Sequence, residues 1–400
     1  MESLFVIPHT MYNGFMTLYA LELGVSVAQV GLITSLGLAM SIFFSLISAF
    51  ITDKLGRRYT TLIFDSIGWT AAQLIWAFAL NIRFFVIAAI INAFGRVVMN
   101  SWHCLMLEDS EPGVRVHIFN FLLVANILGG FFAPVGSLLI SRMTLVPAMR
   151  IMLLFSAFSM TTLFIVRHLL VKETAIGRQK IQEMKGVGTM SILASYIPVL
   201  KRMVRDKPLV IALLLRSLNF IQFTVRNTFL AVLVTERMGF RAEIMAVFYT
   251  LNAVVTLIAL LFITPFLSRF TIRLPIFAGI LIHIAATAAL LLSPSAPNLP
   301  VLIFIAMCIA LGTSIAAPRI DTLAANSVSN EDRAAFNAVM SVIMLLLSTP
   351  FGFIGGILSG IDPRLPFLLT LSVFLISLLL LRVSVKLEHN KIDVVKEVSG

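Results

Sequence analysis

Runs of about 20 apolar residues, separated by short stretches of Gly, Pro and charge, recur along the whole chain. They fall near 4–21, 29–51, 59–80, 84–106, 117–140, 147–168, 209–234, 244–267, 274–292, 299–324, 335–358 and 365–383. An α-helix needs roughly 20 residues to cross the hydrocarbon layer, whereas barrel strands are about half as long and alternate in polarity. The pattern therefore predicts an all-α integral membrane protein with twelve transmembrane helices. Composition agrees, since 59% of the 400 residues are hydrophobic and only 12% charged. Little length remains for a separate soluble domain.

The longest stretch between runs, 171–207, divides the spans six and six. This predicts an N-terminal six-helix half over 1–170, a cytoplasmic linker over 171–207, a C-terminal half over 208–385 and a cytoplasmic tail over 386–400. Within the linker, Met190–Val204 reads as an interfacial helix against anionic lipid headgroups. Two matches at nearly constant offset make the halves pseudo-symmetric. Leu23-Gly24-Val25 corresponds to Met238-Gly239-Phe240 at an offset of 215, and Arg115 with Phe119-Asn120 to Arg333 with Phe336-Asn337 at 217 to 218. The same offset places Arg216 opposite Met1, so span 1 is expected to extend beyond the start of the chain.

The net charge of +11 does not form the clustered basic face that nucleic acid requires. Its distribution instead sets orientation. With both termini cytoplasmic, inner segments hold 20 of the Lys and Arg residues, outer loops six and spans four, and every Lys lies inside. A multi-pass plasma-membrane protein, surrounded by lipid and monomeric, is the expectation. Cys104 and Cys308 both lie in apolar runs and give neither a disulfide framework nor a metal cluster. No nucleotide-binding or zinc motif is present, so no cofactor is expected, and the absence of clustered catalytic motifs argues against a membrane enzyme. A sensor without flux stays open on sequence grounds.

Between spans 2 and 3 the chain reads Ala49-Phe-Ile-Thr-Asp53-Lys54-Leu-Gly56-Arg57-Arg58. This resembles the loop signature of the major facilitator superfamily, G-x-x-x-D-R/K-x-G-R-R/K, with Ala49 in place of the first glycine. The resemblance implies a transporter whose two halves rock about a midplane site. It also implies a conformational latch in which Asp53 faces the N-terminus of span 11; Glu108 and Asp109 at the end of span 4 are the candidate partners of Arg57 and Arg58 in that latch. The corresponding loop after span 8 replaces the acid with Ser268 and the glycine with Thr271.

A charge at a helix centre costs about 2.5 to 3.5 kcal/mol on insertion scales, so Arg96 and Arg226 need a partner or a wet cavity. The resemblance places spans 1, 4, 7 and 10 around the transport path. The substrate-binding candidates are accordingly Arg96, Arg226, Asn13, Asn100, Asn219, Gln222 and Asn227. Arg319 is expected to pair with Asp321. A cationic, amide-rich cavity with few deep acids suits a small organic solute, anionic or neutral polar. His9, Asp65 and Asp321 are the candidates for carrying coupling protons, with structural pairing the competing role for Asp65. The alternative is proton-coupled export of lipophilic drugs. It draws on Gly129-Gly130-Phe-Phe-Ala133-Pro134-Val135-Gly136-Ser137, a partial match to the antiporter motif G-x-x-x-G-P-x-x-G-G that small-residue packing also explains.

Overall fold

The computed structural model describes residues 2–184, 198, 200–203, 205–326 and 333–399. Every regular element among them is helical. Among the described residues, ten helices are long and apolar enough to cross a membrane, from Val27–Leu55 to Leu365–Val383. The interfacial helix expected over 190–204 falls mostly outside the described residues.

The two remaining apolar runs are helical but interrupted. Residues Ser3–Asn13 (α1) and Met16–Glu22 (α2) form one broken rod. The break falls at Gly14, whose missing side chain leaves room for the Tyr249 ring. Residues Arg57–Asp65 (α4) and Ala72–Ala77 (α5) are joined by a π-helical stretch, Ser66–Ala71. Gly68 in that stretch meets the backbone of Gly95, so a side chain there would push the helix that starts at Gly95 away. Such π segments are wider than an α turn and re-aim the side chains they carry.

Helix α3, Val27–Leu55, starts on a capping box in which Ser26 and Gln29 each accept the other's backbone N–H. It ends at Gly56, whose φ of +85° turns the chain into α4 without an intervening loop. Helices α6 (Ile82–Asn92), α7 (Gly95–Leu107), α8 (Pro112–Gly129), α9 (Ala133–Met143) and α10 (Leu145–Leu170) follow, then the short α11, Ala175–Glu183. Beyond the linker come α12 (Lys207–Val232), α13 (Ile244–Ile258), α14 (Thr264–Leu267), α15 (Arg273–Leu291), α16 (Leu299–Asn326), α17 (Arg333–Ile361) and α18 (Leu365–Ser399). The last of these continues as helix beyond the apolar stretch that ends at Val383.

The principal core runs through helices on both sides of the linker. Tyr12, Phe15, Tyr19, Phe229 and Phe367 are its largest fully buried side chains. Many large apolar residues remain on the outside, Phe78, Phe158 and Phe262 among them, as lipid-facing helices require.

Contacts between the parts before and after the linker gather toward the end of the bundle that carries Gly24 and Gly239. Thr17 donates to the Thr228 carbonyl and Ser137 to the Glu243 carbonyl, each at 2.9 Å. Helices α3 and α17 run antiparallel. Ser35 bridges them, donating to the Thr349 carbonyl and accepting from the Phe353 N–H at 2.7 Å. Gly31 lies against Gly352 and Gly356, leaving no room for side chains between the two backbones.

Candidate functional site

The first cluster surrounds the α3–α4 turn. Arg57 is buried and donates Nε and Nη2 to Glu108 at 2.9 to 3.1 Å. Its Nη1 lies 2.9 Å from Asp53 Oδ1, an ion-pair distance without hydrogen-bond geometry. Arg58 turns elsewhere, donating Nε to the His168 carbonyl at 2.8 Å. Asp109 accepts from the Ala175 N–H at 3.3 Å, so the expected pairing of both arginines with both acids is corrected to the single pair Arg57–Glu108. Lys54 is exposed over the Phe50 ring, 5.3 Å from its centroid.

Glu173 and Thr174, at the start of the linker, are partners that sequence reading missed. The Glu173 carboxylate accepts the backbone N–H groups of Arg57 (3.0 Å) and Arg58 (2.9 Å), placing an anion on the exposed donors at the start of α4. Gly56 is tight against the same carboxylate. Thr174 caps α11 by accepting from the Gly177 N–H at 2.8 Å and donates its hydroxyl to Glu108. The only sequence signal was a Thr three residues before Gly177 at the start of a polar helix.

The second cluster lies within the bundle. Asp65 pairs with Arg167, and both are almost fully buried. The Arg167 guanidinium also sits 4.7 Å from the Trp102 ring centroid and 5.4 Å from that of Phe164. These groups line a cavity of about 440 Å³ together with Phe5, Trp69, Asn92 and Arg96. Arg96 has no carboxylate partner among the described residues; its contact is the Met99 sulfur at 3.6 Å. Asn100 is half-buried one turn further along α7. Beside this cavity His9 Nδ1 lies 3.0 Å from the Tyr12 hydroxyl, which accepts from Gln73 Nε2 at 3.2 Å.

A smaller cavity, about 250 Å³, opens between α1, α8 and α13 and is lined by His9, Asn13, Asn126, Tyr249 and Asn252. It is rich in amides, and Asn126 and Asn252 join Asn13 only through the fold. On α12, Asn219 accepts from Gln222 at 3.1 Å, and Gln222 accepts from Arg226 at 3.2 Å. Arg226 has no carboxylate partner among the described residues, whereas Asn227 is exposed and stands apart from this chain.

Asp321 pairs with Arg216, Nε to Oδ1 at 2.8 Å, while Arg319 donates to the carbonyls of Ile315 (2.9 Å) and Thr264 (3.3 Å). The expected Arg319–Asp321 pairing is thereby corrected, because residues two apart on a helix do not face each other. The glycines of the span 5 motif are contact points: Gly129 meets Val6, Gly130 meets Ala253, and Gly136 meets the Met11 carbonyl.

Solved transporters share this architecture. A point mutant of the nucleoside transporter NupG superposes with a TM-score of 0.72 at 14% identity, covering 96% of this chain and 98% of that one. A POT family transporter in complex with 5-aminolevulinic acid gives 0.72 at 16% identity, with 96% and 94% covered. The xylose transporter XylE from E. coli, in an inward-open conformation, gives 0.67 at 13% identity, with 93% and 94% covered. These likenesses concern the fold. No curated protein matches the sequence. The sequence profile of the Major Facilitator Superfamily matches residues 3–352, and the chain belongs to that family of membrane transporters.

Proposed function

We propose that the chain is a secondary active transporter that moves a small organic solute, anionic or neutral polar, by alternating access and in exchange for or together with protons. In this reading twelve spans form two six-helix halves in the plasma membrane, with both termini and the 171–207 linker cytoplasmic. The structural equivalence of Gly24 and Gly239 supports the duplication, since both hold the same left-handed turn, with φ of +80° and +71°.

The observation that carries the substrate class is the charge balance inside the bundle. Asp65 and Asp321 are engaged by Arg167 and Arg216, whereas Arg96 and Arg226 have no carboxylate partner among the described residues. Cations left in this position attract an anion or the oxygens of a polar solute. Asn219, Gln222 and the amides around the smaller cavity add neutral hydrogen-bonding capacity. Proton carriage at Asp65 would require Arg167 to release it, and His9 would exchange protons through the Tyr12 hydroxyl. The Asp53–Arg57–Glu108 cluster serves as the latch. The antiparallel register of α3 and α17 supports its closing on span 11, because it brings Asp53 level with the first turn of α17.

A thermal-shift screen of the purified protein against organic anions, sugars, nucleosides, amino acids and lipophilic cations tests the reading, since a ligand of the folded state raises stability. Stabilisation by anions or polar solutes, lost in Arg96→Ala or Arg226→Ala, is expected. Stabilisation confined to lipophilic cations and unaffected by either variant would overturn it.

A further inference from the structure

The cavity enclosed by α1, α3, α4, α7 and α10 has a more specific chemistry than a generic polar site. Its walls include two indoles, Trp69 and Trp102, and two phenyl rings, Phe5 and Phe164. Its polar groups are largely committed elsewhere. Asp65 and Arg167 neutralise each other, Asn92 donates its amide to the Gly68 carbonyl at 2.9 Å, and Ser41 donates to the Gly37 carbonyl at 2.8 Å. What remains are the Glu2 carboxylate and the guanidinium of Arg96, the latter with five N–H donors and only a thioether beside it.

Trp69 supplies a second donor. The π-helical stretch brings its indole alongside Gly95, the residue before Arg96, so that a methyl group at Gly95 would sit 3.4 Å from Trp69 Nε1. The ring is fixed edge-on by Phe5, with centroids 4.8 Å apart, and its N–H makes no hydrogen bond among the described residues. One cation and one neutral donor in a cavity lined by aromatic rings match a single carboxylate attached to a flat apolar body.

We propose that this cavity binds a small aromatic monocarboxylate, with its carboxylate on Arg96 and its ring among the side chains of Trp69, Trp102, Phe5 and Phe164. The proposal rests on the transport reading above, in which Arg96 contacts the solute, and narrows its substrate class. A volume of about 440 Å³ admits a one- or two-ring acid. Ring stacking against the indoles favours a flat ligand over a flexible chain. A second negative charge is disfavoured because the Glu2 carboxylate lines the same cavity and Arg167 is already engaged by Asp65.

The test is isothermal titration calorimetry on the full chain in detergent, with 2-naphthoate as probe. Two ligands separate its parts: 2-naphthamide keeps the rings without the charge, and octanoate keeps the charge without the rings. Naphthoate is expected to bind at least tenfold more tightly than either. Arg96→Met should weaken naphthoate at least tenfold while leaving naphthamide within twofold, Trp69→Leu should weaken both, and Arg83→Gln, at an exposed position outside the cavity, should change neither. Equal binding of naphthoate and naphthamide to the wild-type protein overturns the proposal without recourse to any variant. So does unchanged naphthoate affinity in Arg96→Met. Octanoate binding as tightly as naphthoate, and lost in Arg96→Met, overturns the aromatic preference while leaving anion transport standing. Stabilisation by lipophilic cations alone removes both readings.

Discussion

Arg57 and Glu108 stand 51 positions apart in sequence, yet the guanidinium meets both carboxylate oxygens at 2.9 to 3.1 Å while Asp53 approaches its remaining nitrogen. The pair joins the start of α4 to the end of α7. Removing one member leaves a buried charge without its partner, which costs about 3 kcal/mol or more. Arg57→Met is therefore expected to lower the unfolding temperature. Arg57→Lys should recover only part of the loss, because an ammonium cannot meet both oxygens in the fork geometry. Thermal unfolding of the two variants beside Glu108→Gln checks this; equal stability of Arg57→Lys and wild type would refute the bidentate role.

Asp65 and Arg167 form the most deeply buried ion pair described, at 3% and 6% exposure. Breaking it from one side, with Asp65→Leu or Arg167→Met, should destabilise the protein by about 3 to 5 kcal/mol, whereas replacing both with apolar residues should restore most of the loss. Transport separates structure from function here. If Asp65 carries a coupling proton, the double variant folds normally but uptake into proteoliposomes no longer responds to an imposed pH gradient. Retained proton-driven uptake in a stable double variant would restrict the pair to a structural role.

The Glu173 carboxylate on the first N–H groups of α4 ties the linker to the turn at Gly56. Glu173→Gln keeps the size and an acceptor but removes the charge, and is expected to cost about 1 kcal/mol. Its clearer signature is local. Hydrogen exchange at the amides of Arg57 and Arg58 should accelerate in the variant, with exchange along α12 unchanged.

At the turn between α17 and α18, Arg364 donates its side chain and its backbone N–H to Asp362 and pushes the carboxyl down to about 2. A carboxylate with a folded pKa below its unfolded value stabilises the fold above the unfolded pKa, and that contribution is lost as pH falls through the folded one. The unfolding temperature of the wild type should thus fall more steeply than that of Asp362→Asn between about pH 4 and pH 2. Parallel profiles would refute the linkage.

How much of this was legible from sequence depended on range. Asp53, Gly56 and Arg57 sit within five positions, and their turn could be read directly. Gly24 and Gly239 could be matched because a left-handed turn admits few residues. Arg167, Glu173 and Trp69 could not be found that way. Their partners lie 102 and 115 to 116 positions away for the first two. Trp69 is aimed by a π-helical stretch that hydrophobic periodicity does not register. The Arg319–Asp321 expectation failed for the opposite reason, since nearness in sequence was taken for nearness in space. Apolar periodicity located the helices well, but it carries no information on which polar group of one helix meets which of another.

Closure at the Gly24 end rests on the approach of α3 to α17. A Cβ at Gly31 would lie 2.7 Å from the Gly356 Cα and collide with the Gly352 carbonyl, and both obstacles are backbone, so they cannot yield as a side chain would. Gly31→Val therefore pushes the two helices apart rather than deforming one rotamer. Ser35 would lose its bridge to Thr349 and Phe353 in the same movement, and that carbonyl and N–H, four residues apart, would pair only with each other along α17. The substitution is expected to shift the population toward a form open at this end while leaving the Arg57–Glu108 cluster at the other end intact. Spin labels on the Glu22 and Gly360 positions, replaced by cysteine in a background lacking Cys104 and Cys308, report the separation directly. A longer distance in Gly31→Val than in the parent is the expected outcome. An unchanged distance would mean that the glycine contact does not hold this end closed.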